Sequence, residues 1–191
     1  MPDSLPLAAD IALRLIGAFY LVTAPLVLRA GAATLLLTRA ISAISMKVSK
    51  EDEVEEQRVL FLAGMALLTG AGGILLAARL DLAFWAFLAN APVYALYLFV
   101  IAPRYFDLWD EPDEKGRRQT RNAFFVYLGA TVIVAAAWWS GALRPAAGEH
   151  PAVLATCAAA FAGIAIYAWR SLRLVRGIGA ADKSGTTNGN V

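Results

Sequence analysis

Five long apolar stretches constrain this chain more than any other feature of its sequence. Four of them contain no Asp, Glu, Lys or Arg, and the first contains only Arg14. They cover residues 11–28, 59–78, 82–103, 122–143 and 152–169. A bilayer core about 30 Å thick requires about 20 predominantly apolar residues in a helix. Strands of a membrane barrel would alternate in polarity, whereas these stretches are continuous. The sequence therefore predicts an all-α integral membrane protein, a bundle of five transmembrane helices.

The overall composition supports one membrane domain over residues 11–176. Of 191 residues, 59% are hydrophobic and 17% are charged, whereas soluble domains have about 45–50% and about 25%. A single anchor helix would not produce this difference. The net charge of +2 gives no indication of a nucleic-acid partner. Residues 1–10 contain no Lys or Arg, so they do not resemble a secretory signal, and we expect a short extracytoplasmic tail.

The distribution of basic residues predicts the orientation of the five helices. Fourteen of the 17 Lys and Arg residues follow the first, third or fifth apolar stretch. Cytoplasmic loops collect Lys and Arg, so these segments are predicted to face the cytoplasm. An N-out, C-in topology follows, and we expect a multi-pass protein of the cell membrane, most simply a bacterial inner membrane.

Two segments outside the spans have a distinct pattern. Residues 30–50 have apolar side chains at helical spacing, among them Leu37 and Ile41, and basic side chains on another face. This pattern predicts a cytoplasmic amphipathic helix that contacts the lipid bilayer at its anionic lipid headgroups. The alternative is that the first helix continues to Leu37, which would place Arg29 in the hydrocarbon. Residues 177–191 lack a core-forming pattern and are predicted to be a disordered cytoplasmic tail.

Small residues recur at four-residue spacing in two of the predicted helices. They are Thr69, Gly70, Gly73 and Ala77 in the second helix, and Ala155, Ala159 and Gly163 in the fifth. Small side chains allow the backbones of membrane helices to approach closely. The stripes predict helix packing within the bundle, with self-association as the alternative.

The third helix contains an amide and a proline near its middle, Asn90 and Pro92. Pro92 removes a helical hydrogen bond and is expected to bend the helix. Asn90 must find a hydrogen-bond partner in the bilayer. The pair predicts either a structural bend with an interhelical hydrogen bond or the lining of a polar path.

The cytoplasmic ends of the helices carry opposite charges at the same predicted depth. The acids precede the second helix, and the basic residues begin the fourth helix and end the fifth. They are Glu51, Asp52, Glu53, Glu55, Glu56, Lys115, Arg117, Arg118, Arg121, Arg170, Arg173 and Arg176. These residues predict a charge network that clamps the bundle. Alternatively, the acids serve only the helix dipole and the basic residues bind lipid.

The sequence contains no motif that is typical of a catalytic, metal or cofactor site. Cys157 and His150 are the only cysteine and histidine, so a disulfide within the chain is impossible and a histidine-based metal site is not expected. We therefore expect a non-enzymatic assembly or accessory subunit that binds a membrane-protein partner or a second copy of itself. A small-solute transporter or channel around Asn90 and Pro92 is the alternative. A membrane-embedded lipid-modifying enzyme that uses the loop 104–121 is a second alternative.

Overall fold

The computed structural model describes residues 7–45, 50–106 and 114–185. Within these ranges no β-strand occurs, and the chain is helical apart from short connections. The α-helices are α1 (Leu7–Ser45), α2 (Lys50–Ala77), α3 (Leu82–Leu96), α4 (Glu114–Trp139) and α5 (Pro151–Gly185). A π-helical segment, Tyr97–Phe106, continues α3, and a 3-10 turn, Ala146–Gly148, precedes α5.

Five helices in the described part of the chain are long and apolar enough to cross a membrane. They are Leu7–Ile41, Val54–Ala77, Leu82–Phe106, Gly116–Trp139 and Pro151–Arg173. Each contains all or nearly all of one apolar stretch of the sequence. The prediction of an all-α fold with five membrane-length helices is confirmed, while the N-out, C-in orientation stays a prediction.

The first helix is longer than the sequence analysis predicted. α1 continues without a break through residues 30–45, where a separate amphipathic helix was expected. No residue there interrupts the hydrogen-bond ladder, since the proline of α1, Pro25, comes earlier. Leu35 is buried against Val59 of α2, so this part of α1 packs on a neighbouring helix. The structure thus shows one long first helix over residues 30–45; residues 46–49 of the predicted segment lie outside the described ranges.

The last helix also exceeds its predicted length. α5 extends to Gly185, into the segment 177–191 that was expected to be disordered. Once a helix has formed, each further residue adds one hydrogen bond, and Ala180 and Ala181 favour helix. The helix over residues 177–185 therefore follows from its continuity with the span and not from a core pattern. Residues 186–191 lie outside the described ranges.

α2 is the central helix of the bundle. It packs most extensively on α1 and also contacts α3 and α5, while α4 packs mainly on α3. The largest core joins the first four helices through Tyr20, Leu76, Phe87, Tyr127 and their neighbours. α5 is peripheral, and its main contacts are with α1 and α2.

Candidate functional site

Two helices are in direct backbone contact where α1 crosses α2, between Gly17 and Gly73. A Cβ added at Gly73 would lie 2.7 Å from the Leu21 backbone nitrogen and 2.8 Å from the Gly17 carbonyl oxygen. A Cβ at Gly17 would lie 2.6 Å from the Ala77 backbone nitrogen. No real side chain fits at these distances. The two glycines therefore allow a direct backbone contact. Between helices in lipid there is no hydrophobic driving force, so the van der Waals attraction of such a contact stabilises the pair.

The small residues predicted in α2 lie at or beside this crossing. Gly73 and Ala77 face Gly17, and a Cβ at Gly70 would approach the Ala24 Cβ to 2.9 Å. Thr69, half-buried, donates its hydroxyl to the Met65 carbonyl. Sequence reasoning missed Gly17 because Leu residues stand four positions before and after it, so it belongs to no small-residue stripe.

The small residues predicted in α5 do not pack against the part of the chain that the structure describes. Ala155, Ala159 and Gly163 are exposed, and a Cβ at Gly163 would meet no atom within 4 Å. α5 instead packs on α1 and α2 through a stripe that contains Ile164 and Ala168. Neighbouring residues of a helix point about 100° apart, so a stripe shifted by one residue faces a different direction.

Asn90 is fully buried and joins α3 to α2. Its Nδ2 donates a hydrogen bond of 2.8 Å to the Thr69 hydroxyl oxygen. Its Oδ1 is buried and has no hydrogen-bond partner among the residues that the structure describes. The rings of Tyr20, Phe87 and Tyr127 pack against one another nearby, with centroid separations of 5.3–5.6 Å. The amide thus has the kind of interhelical partner that a polar group in a membrane interior requires.

Pro92 lies inside α3, which remains helical through it. Proline has no backbone N–H, so the Leu88 carbonyl lacks the helical hydrogen bond that it would otherwise accept from residue 92. One residue earlier, the Phe87 carbonyl accepts a buried hydrogen bond of 3.0 Å from the Tyr127 hydroxyl of α4. Tyr127 thereby ties α4 to α3 beside the interrupted ladder. The helix changes to π-helical geometry at Tyr97, five residues after the proline.

A polar cluster at one end of the bundle was not predicted from the sequence. We call this the loop end; it comprises Asp10, residues 78–81 and residues 140–150. Arg79 binds the Asp10 carboxylate with its Nη1 at 3.0 Å and donates from Nη2 to the Ala142 carbonyl at 2.8 Å. Asp10 also pairs with Arg14 at 3.2 Å, as expected from their spacing. Arg79 therefore connects α1, the α2–α3 turn and the α4–α5 loop.

The backbone around Arg79 reinforces this connection. Arg79 has φ of +60°, a conformation that non-glycine residues rarely adopt. The Asp81 amide donates to the Arg144 carbonyl, and the Arg144 amide donates to the Arg79 carbonyl, both at 2.8 Å. The Asp81 carboxylate accepts from the Ala146 amide at 3.0 Å. In the sequence, Arg79, Asp81 and Arg144 only marked the ends of spans, because their contacts join distant parts of the chain.

The residues of the predicted charge network belong to the opposite end of the bundle. We call this the charged end; it comprises residues 50–58, 114–121 and 170–173. Glu56 pairs with Arg39 of α1 at 3.0 Å, and Glu55 pairs with Arg58 of its own helix at 3.5 Å. Arg39 was not among the predicted members. The structure thus shows a clamp between α1 and α2, and a clamp between the acids and α4 or α5 stays a prediction.

The other predicted members of the network are placed as follows. Arg117, Arg118 and Arg121 lie in the first turns of α4. Arg170 and Arg173 lie in α5, and the Arg173 guanidinium sits over the Trp169 ring at 4.6 Å. The side chains of Glu51, Asp52, Glu53, Lys115 and Arg176 lie outside what the structure describes.

Comparisons with known proteins do not assign this chain to a family. No protein-family model matches it, and no curated protein or solved structure matches it. Among the described residues, no group of three or more His, Cys, Asp and Glu side chains could hold a metal ion.

Proposed function

We propose that this chain is a non-enzymatic, multi-pass membrane protein that acts as an assembly or accessory subunit, and that α5 is the helix that contacts its partner. The observation that carries this proposal is the exposed surface of α5. In the most apolar 18-residue stretch of α5, 11% of the residues are buried, whereas 50% are buried in the corresponding stretch of α2. A peripheral helix of this kind is available to a partner that lies beside it in the bilayer.

The type of residue on that surface separates α5 from a helix that only faces lipid. The exposed face of α1 carries large apolar side chains, including Leu15, Phe19 and Leu26. The exposed side of α5 carries the row Ala155, Ala159 and Gly163 along its first turns, with large side chains such as Phe161 and Ile166 beside and beyond that row. Large apolar side chains make extensive contacts with lipid chains. A row of small residues makes more van der Waals contacts when another helix packs closely on it. A second membrane helix, from another protein or from a second copy, is the matching partner.

The orientation proposed for this subunit is N-out and C-in, in a bacterial inner membrane. Its support is the clustering of Lys and Arg after the first, third and fifth spans. In this orientation the charged end faces the cytoplasm and the loop end faces outside. The acids at this end, Glu55 and Glu56, pair with Arg58 and Arg39.

The transporter and the enzyme have less support than the assembly role. A polar path at Asn90 would require access to water, but the amide is fully buried beside three packed aromatic rings. An enzyme acting on lipid would depend on the loop 104–121, of which residues 107–113 lie outside the described ranges.

The test compares two glycines that lie in open space on different helices. Gly163 in α5 and Gly129 in α4 are both exposed, and a Cβ at either would meet no atom within 4 Å. Neither Gly163→Leu nor Gly129→Leu should impair folding of the isolated chain. Gly163→Leu should remove the partner or the dimer that co-purifies with the chain from its native membrane in mild detergent, and Gly129→Leu should leave it in place. Equal retention by both variants, or a wild-type chain that purifies as a monomer, would refute the proposal.

A further inference from the structure

A crevice of about 390 Å³ lies between α1, α2 and α5 at the charged end of the bundle. Its floor is formed by α2, where Val59 and Ala63 are buried. Its rim is exposed on α1 at Ala30 and Thr34 and partly exposed on α5 at Ser171. The volume lies within the range of about 300–1,000 Å³ that is typical of small-ligand sites. The crevice therefore opens towards the surroundings of the bundle and has the size of a binding site.

The lining of this crevice changes from charged to apolar along α2. Glu55 and Arg58 lie at one end, with 3.5 Å between Oε2 and Nη1, and their side chains are 27% and 39% exposed. The next turns of α2 contribute only apolar side chains, among them Leu62 and Ala63. From residue 55 to residue 63 the helix rises about 12 Å. A ligand that follows this lining must have an ionic end and an apolar end.

The gradient from an ion pair to apolar side chains decides the kind of occupant. An unbranched hydrocarbon chain with an ionic end matches it. The surrounding medium of five membrane-length helices supplies such chains, each attached to an ionic headgroup.

We propose that this crevice binds one phospholipid whose headgroup carries both a phosphate and a primary ammonium group. Arg58 binds the phosphate, Glu55 accepts hydrogen bonds from the ammonium, and one acyl chain lies along the α2 floor. The adjacent cation and anion match a zwitterionic headgroup, whereas a lipid with only negative charge would meet the Glu55 carboxylate. A primary ammonium has hydrogen-bond donors and a quaternary ammonium has none, so Glu55 distinguishes the two. This site depends on the membrane location of the chain and not on the partner proposed for α5.

The experiment measures lipid binding to the full-length chain by native mass spectrometry in detergent. The probes are dioleoyl phosphatidylethanolamine, dioleoyl phosphatidylcholine and dioleoyl phosphatidylglycerol, added separately over a range of concentrations. We expect one tightly retained phosphatidylethanolamine per chain. Its affinity should exceed that of the other two lipids by about tenfold, as expected for charge-assisted hydrogen bonds that the competitors cannot reproduce.

Two substitutions separate the roles of the headgroup residues. Glu55→Gln should abolish the preference for phosphatidylethanolamine over phosphatidylcholine, because the ammonium loses its ionic acceptor. Arg58→Gln should weaken both of these lipids to a similar extent, because both carry the phosphate. The midpoint of thermal unfolding in lipid-free detergent checks that each variant remains folded.

A matched pair of substitutions on α1 tests the location of the acyl chain. Ala30 lines the crevice, whereas Ala33, also exposed on α1, does not. Ala30→Phe should fill the crevice and remove the retained lipid, and Ala33→Phe should bind lipid as the wild-type chain does. Equal affinities for the three lipids, a preference for phosphatidylglycerol, or equal loss in both Phe variants would overturn the proposal. Loss of a protein partner in Ala30→Phe with unchanged lipid binding would also overturn it, and would leave the separate test at Gly163 unaffected.

Discussion

The crossing of α1 and α2 gives the sharpest test of the packing. In Gly73→Ala the new Cβ would lie 2.7 Å from the Leu21 nitrogen, while an ordinary contact begins at 3.4 Å. The three nearest atoms, on Leu21, Gly17 and Tyr20, all belong to the backbone, so no side-chain rotation relieves the clash. The helices must separate by about 0.7 Å, and overpacking of this kind costs about 1–3 kcal/mol. We expect Gly73→Ala to lower the free energy of unfolding by that amount.

The matched control is Gly64→Ala in the same helix. Gly64 is exposed, and a Cβ there would meet no atom within 4 Å. Alanine is a better helix former than glycine by about 0.5–1 kcal/mol, so this variant should be unchanged or slightly more stable. The two changes add the same methyl group to the same helix, yet they should act in opposite directions.

The assay is reversible unfolding of the purified chain in mixed micelles with increasing SDS, followed by circular dichroism or by tryptophan fluorescence. Gly17→Ala should be as harmful as Gly73→Ala, since its Cβ would approach the Ala77 nitrogen to 2.6 Å. The double variant should lose less than the sum of the single losses, because one separation of the helices relieves both clashes. A Gly73→Ala chain that is as stable as Gly64→Ala would show that the helices do not touch there.

Three further predictions concern the two ends of the bundle. Arg79→Ala should lower the free energy of unfolding by about 2–3 kcal/mol, because the charge-assisted hydrogen bonds of the guanidinium are lost. Arg79→Gly should lower it by about 1 kcal/mol less, because glycine tolerates φ of +60°. The same SDS titration measures both variants. Arg39→Glu or Glu56→Arg should each destabilise the chain by about 1 kcal/mol, and the double exchange should recover part of the loss at low salt in thermal unfolding. In the native cell, a cysteine at Ala147 should react with an impermeant thiol reagent added outside, and a cysteine at Gly116 should react only after the membrane is opened; labelling of Gly116 from outside would refute the orientation.

The sequence predicted the helices well because the bilayer requirement is local. A run such as 59–78 is apolar enough to indicate a span without knowledge of its neighbours, and the structure has a membrane-length helix there. The errors lie at positions where local composition is ambiguous. Residues 30–45 are amphipathic both as a surface helix and as a continuation of α1. The two arrangements are distinguished by the unbroken helix and by its contacts with α2, Leu35 with Val59 and Arg39 with Glu56.

The contacts between helices were harder to predict because they depend on the rotation of each helix. The small residues of α2 and α5 have the same spacing in the sequence, but Gly73 is buried and Gly163 is exposed. Gly17 and Arg79 carry no local pattern, and their importance comes from partners more than 50 residues away, Gly73 for the first and Ala142 for the second. Asn90 was the exception, because a buried amide in a membrane helix must find a partner wherever the helix is turned.

The pairing of α1 with α2 is fixed at three depths by two kinds of interaction. At the loop end Asp10 pairs with Arg79, and at the charged end Arg39 pairs with Glu56. Such pairs exchange with water or headgroups at modest cost, so by themselves they define position weakly. The contact at Gly73 lies between them, where no water competes, and it permits only one separation of the backbones. The glycine contact therefore sets the distance and the rotation of the two helices, and the ion pairs add a weaker restraint at each end. Because α5 packs on the outside of this pair, a partner that displaced or rotated α5 would leave the α1–α2 contact intact.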